Sequence, residues 1–72
     1  MKNSYTYQPD YSVKDGRYFG LVQIILGSRM MNPRVIRLAR NDKEAALQDA
    51  HKLARAMFAL GVNCEINLND YN

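Results

Sequence analysis

The side chains that most often carry acid–base or nucleophilic chemistry are sparse in this sequence: one histidine, His51, and one cysteine, Cys64, alongside seven carboxylates. Acid–base catalysis needs a titratable group held within hydrogen-bond reach of the atom it serves, commonly with a nucleophile beside it. His51 falls on the polar side of a helical repeat, with no serine or cysteine spaced to lie alongside, so it reads as a solvated helix histidine. Cys64 sits at an inward position of an alternating segment, where cysteine usually serves as a small buried hydrophobe. A single cysteine closes no internal disulfide and supplies no cysteine-based zinc site. Asp42 and Glu44 stand at the start of the helical repeat, where capping and the helix dipole account for both. Gly16, Gly20, Gly27 and Gly61 are too scattered for a phosphate-cradling loop. This inventory predicts a protein that is not an enzyme, with no catalytic residues, no metal, no cofactor and no small-molecule substrate.

The arginines are the second chemical resource. Arg17, Arg29, Arg34, Arg37 and Arg40 occur in one stretch without an acidic residue. Residues 1–40 carry seven cations against two carboxylates, and residues 41–72 three against five, so the net charge of +3 hides a basic first half. Arginines on a β-ribbon can neutralise phosphates and reach base edges, and tyrosines near the N-terminus can stack on unpaired bases. Against this, the three-residue spacing of Arg34, Arg37 and Arg40 splits them between the two faces of a strand. Charge on a strand edge also deters edge-to-edge pairing. Nucleic-acid binding through the hairpin between Arg17 and Arg40 is the alternative reading.

Positioning these groups falls to a few elements. Seventy-two residues build one domain, and a hydrophobic share of 47% with 10% aromatics suffices for a single packed core. Residues 1–10 are polar and tyrosine-rich without a clear period, which predicts an irregular N-terminal arm ahead of one α+β domain over residues 11–72. Asp15-Gly16 suits the left-handed angles of a tight hairpin turn, placing a short strand before the main one at residues 18–26. Residues 27–33 are expected as a loop with Met30 and Met31 at its tip, and residues 34–40 as the returning strand. Asn41 and Glu44 form a capping-box pair, and Ala46, Ala50, Leu53, Met57 and Leu60 repeat at helical spacing. Gly61 is the stop, and residues 62–69 alternate as a last strand. Right-handed crossover would set that strand parallel to residues 34–40, with residues 18–26 between them and antiparallel to both. The expected architecture is two-layer α+β: an antiparallel sheet of three strands, or four with the front one, and one amphipathic helix on one face.

Such a sheet is apolar on both sides. With Gln23 pointing outward, Tyr18, Val22, Ile24 and Leu26 face the helix, leaving Phe19, Leu21 and Ile25 on the far face. Turning Ile36 and Leu38 inward adds Val35 and Arg37 to that face. A monomer seldom exposes a contiguous apolar patch beyond a few hundred Å². Either the tyrosine-bearing residues 1–14 fold over this face, or a protein docks there. The sequence therefore predicts a non-catalytic binding module acting by protein–protein contact. Its site is Phe19, Leu21, Ile25, Val35 and Arg37 with Met30 and Met31 as adaptable anchors, and its partner is a second copy in a homodimer or a different protein.

The layout of a strand hairpin running into a helix that opens Asn-Asp-Lys-Glu-Ala-Ala resembles the arm-binding domains of tyrosine integrases over about residues 17–58. The strand that follows departs from that pattern. In size and charge the chain also looks like small accessory proteins of phages and mobile elements, including inhibitors of host systems. No stretch nears the about 20 apolar residues of a membrane span, and no apolar run resembles a signal peptide. With a lone cysteine, this predicts a soluble, cytoplasmic protein with no membrane partner.

Overall fold

The computed structural model describes residues 5–62. Asp15 and Gly16 both take positive φ, 55° and 75°, and join β1 (Tyr5–Lys14) to β2 (Arg17–Leu26) through the two-residue turn an Asp-Gly pair favours. The antiparallel register then runs unbroken from Lys14 opposite Arg17 to Tyr5 opposite Leu26. Residues 5–10, expected to be irregular, are therefore strand. The turn fixes the register, and each further pair extends a loop that is already closed at little entropic cost.

Gly27, at φ 63°, and Ser28 form a second tight turn, so β3 (Arg29–Met30) pairs directly back onto Leu26 and Ile25. This corrects the loop expected over residues 27–33: Met30 lies in the ladder opposite Ile25, and the Met31 N–H donates to the Ile24 carbonyl at 2.8 Å. Further on, β4 (Arg34–Val35) pairs with Val22 and Leu21, and an isolated bridge links Arg40 to Tyr18. These three contacts form one returning strand interrupted by bulges. Residues 31–33 span the distance that Gln23 and Ile24 cover on β2, and residues 36–39 the distance that Phe19 and Gly20 cover. The regular strand expected over residues 34–40 is reduced to a pair and a bridge.

β2 is the central strand, with β1 on one edge and β3 and β4 on the other. β1 thus occupies the neighbour position expected for the strand over residues 62–69. That last strand lies outside the described residues from 63 onward, as does Cys64.

The helix, α1 (Lys43–Leu60), is capped by Asp42, one residue after the expected Asn41: the Asp42 carboxylate accepts from the Ala45 N–H at 2.8 Å. At the other end Gly61, at φ 109°, donates its N–H to the Met57 carbonyl. Ala46, Ala50, Leu53 and Met57 are buried at the predicted spacing, whereas Leu60 is 73% exposed, so contact between stripe and sheet ends at Met57. The core unites Val22, Ile24, Ile36, Leu53, Ala54 and Met57, flanked by Tyr5, Tyr7 and Leu38. Burying a side chain such as Val22, which has no exposed surface, is worth about 1.5–3 kcal/mol. Helix and strand come close because both are bare where they cross. A Cβ on Gly20 would overlap the Ala46 carbonyl oxygen and lie 3.0 Å from the Ala50 nitrogen. The result is a two-layer α+β fold, an antiparallel sheet carrying one helix on one face.

Candidate functional site

Side chains alternate along β2. Because Gly20, Val22 and Ile24 meet the helix, Phe19, Leu21, Gln23 and Ile25 leave the sheet on the opposite face. The returning strand adds Met30 beside Ile25 and Val35 beside Leu21. Both are pairs without mutual backbone hydrogen bonds, since the backbone groups of Ile24, Gly20 and Tyr18 make the bonds on that edge, and such pairs bring side chains closest. Met30 remains 69% exposed and Val35 50%. Of residues 1–14, one of the two covers considered, residues 5–14 do not lie over it: β1 lies in the plane of the sheet, and its Tyr5 and Tyr7 pack against the helix-side core. Among the described residues no helix or strand lies over the far face.

The face changes character along its length. Its β1 third is polar, with Thr6, Gln8, Asp10, Ser12 and Lys14 opposite Ile25, Gln23, Leu21, Phe19 and Arg17. Gln23 donates its side-chain amide to Asp10 at 3.0 Å, which engages the one carboxylate of these five positions. At the turn end, Lys14 stands opposite Arg17, and a shallow hollow of about 290 Å³ is lined by Ser12, Lys14, Phe19, Val35, Ile36 and Arg37. The hollow lies beside the bulge over residues 36–39, where Phe19 has no regular partner on the returning strand.

The five arginines do not form one surface. Arg40 is held by Asp49, Nε to Oδ2 at 2.8 Å and Nη2 to Oδ1 at 3.0 Å, and Asp49 is 2% exposed. That hydrogen bond raises the Arg40 pKa above its ordinary value, so the guanidinium stays charged. Arg34 donates to the Val62 carbonyl at 3.1 Å. Arg29 pairs with Leu26, in phase with the helix side of the sheet. Arg17 and Arg37 remain at the turn end of the far face, exposed. The structure joins to them a residue the sequence reading passed over, Lys14, whose place was implicit in the Asp-Gly turn: a two-residue turn sets Lys14 opposite Arg17. Asp49 was likewise passed over as a partner. Its signal was a carboxylate on the apolar stripe between Ala46 and Leu53.

The open edge of β1 is also specialised. Tyr18, Gly20 and Ile24 direct their backbone groups toward β3 and β4, so alternation sends those of Phe19, Leu21 and Gln23 to β1. Their partners Ser12, Asp10 and Gln8 face inward, and Tyr7, Pro9 and Tyr11 face the open edge. Pro9 has no N–H to offer there, and the Tyr11 N–H is taken by the Asp10 side chain at 2.7 Å. Two successive outward donors are thereby withdrawn at mid-strand.

Elsewhere, His51 is exposed and shares a shallow hollow with Tyr7, Pro9, Ala54, Arg55 and Phe58, the last 82% exposed. Among the described residues no group of three or more His, Cys, Asp or Glu side chains could hold a metal ion. No described helix is long and apolar enough to cross a membrane. No protein-family model, no curated protein and no solved structure matches this chain.

Proposed function

We propose that this chain is a non-catalytic binding module, working in the cytoplasm, that docks a protein on the sheet face opposite its helix. The observation that supports this reading is the apolar strip of Phe19, Leu21, Ile25, Val35 and Met30, over which no described helix or strand lies, with Val35 and Met30 exposed and the other three half-buried between their sheet neighbours. Met31, one residue beyond β3 and 45% exposed, lies opposite Ile24 and so falls in the helix-side phase, apart from this strip. The blocked edge of β1 favours contact by face over contact by strand addition. Nucleic acid is the less favoured partner, because Arg34 and Arg40 are engaged within the fold. An accessory or inhibitory role in a phage or mobile element fits a module of this kind.

A photoreactive residue placed at position 21 should form covalent protein adducts in the cell that makes the chain, while one at Gln48, on the exposed helix side, should not. An adduct of twice the chain mass would identify the partner as a second copy, and a heavier or lighter one a different protein. Ile25→Asp should remove the position-21 adduct and leave the helical circular dichroism intact. Equal labelling at both positions, or unfolding by Ile25→Asp, would overturn the proposal.

A further inference from the structure

Resting on the docking role just proposed, we infer that the partner is a protein with an acidic segment that sets an apolar side chain between carboxylates. The apolar side chain fills the hollow between Phe19 and Val35, and the carboxylates meet Lys14, Arg17 and Arg37. Three observations carry this. Lys14 and Arg17 face each other as a cross-strand like-charge pair, an arrangement that destabilises a hairpin unless something neutralises it. None of the three cations has a salt bridge among the described residues, whereas Arg40, on the same strand system, has its own carboxylate. The sole acidic side chain on the β1 part of this face, Asp10, is bonded to Gln23 and to the Tyr11 N–H and so is not available to them.

The strip that leads from the hollow separates an acidic protein from a nucleic acid. Phosphates would answer the cations equally well. Phe19 in the hollow is a single ring on which one base can stack, but the aliphatic strip of Leu21, Ile25, Val35 and Met30 that continues from it adds no second ring or groove for successive bases, whereas it matches aliphatic side chains of an extended or helical protein segment. Charge complementarity at one end and apolar contact along the rest would set the direction in which the segment lies.

The test is selection of a random twelve-residue peptide display library on the full chain, with a duplex DNA of about 20 base pairs titrated in parallel at low and moderate salt. Enriched peptides should carry Asp or Glu flanking an apolar residue. They should lose on the order of tenfold in affinity to the Lys14→Glu, Arg37→Glu double variant, and change by less than about twofold with Lys43→Glu on the helix. Enrichment of apolar peptides without acidic residues, still abolished by Ile25→Asp, would overturn the acidic partner while leaving the docking face standing. No enrichment at all, or salt-sensitive DNA binding lost in the double variant, would overturn it as well. In either of those cases the position-21 adducts decide the docking reading separately.

Discussion

Arg40 and Asp49 meet through two nearly parallel hydrogen bonds of 2.8 and 3.0 Å, tying the end of the returning strand to the second turn of the helix. The carboxylate is almost fully buried and the guanidinium about a quarter exposed. The geometry is the fork that arginine, and not lysine, presents. The bridge between Tyr18 and Arg40 closes the same corner from the backbone side, with bonds of 2.9 and 2.8 Å.

Removing one member of this pair leaves the other uncompensated. Arg40→Ala should cost about 3 kcal/mol, read as a lower urea midpoint, and Arg40→Lys should recover only part of it. The double variant Arg40→Met, Asp49→Leu should be nearer to the parent than Arg40→Ala is. Because the Arg40 pKa is raised, its contribution is fully present at neutral pH and is lost only above the ordinary guanidinium range.

Two glycines should fail for different reasons. At Gly20 an added Cβ strikes the Ala46 carbonyl, so Gly20→Ala should cost about 1–3 kcal/mol by overpacking, measured by thermal unfolding. At Gly16 the space is open and only the positive φ of 75° opposes a side chain. Gly16→Ala should cost about 1–2 kcal/mol, and Gly16→Asn less than Gly16→Ala, because asparagine tolerates that conformation. The corresponding Gly20→Asn should be worse than Gly20→Ala.

The guarded edge makes a prediction about assembly. Pro9→Thr combined with Asp10→Ala restores outward donors at positions 9 and 11. Light scattering across a concentration series should then show larger species than the parent forms, with the helical signal retained. Unchanged mass would mean that these two residues do not protect the edge.

The cap discriminates between adjacent residues. Asp42→Ala should lower stability by about 1 kcal/mol, and Asn41→Ala should leave the urea midpoint nearly unchanged. The opposite ranking would return the cap to Asn41.

The helix, its stripe from Ala46 to Met57, the Asp-Gly turn and the two-layer α+β class were legible in the sequence, because each rests on local rules: periodicity, turn angles and capping. Local rules also sorted β2 correctly, since the helix-side positions Val22 and Ile24 are in the core and Phe19, Leu21 and Ile25 are opposite. Residues 5–10 were not legible. Tyr5, Thr6 and Tyr7 favour a strand but Pro9 and Asp10 oppose one, and the segment becomes strand because the turn aligns it with β2. The bulges were hidden for the same reason: a pairing register is a property of two segments, and each of them reads normally alone.

The arginines show the division most sharply. The sequence by itself determined that five of them, with no acid between, fall within one hairpin segment from Arg17 to Arg40. Only the tertiary structure decided that Arg40 belongs to Asp49, that Arg34 turns to the Val62 carbonyl, and that Arg17 and Arg37 join Lys14 at one end of a face that no described element covers. Charge is written residue by residue, but its partners are chosen by distance, and distance between segments exists only after the chain has folded.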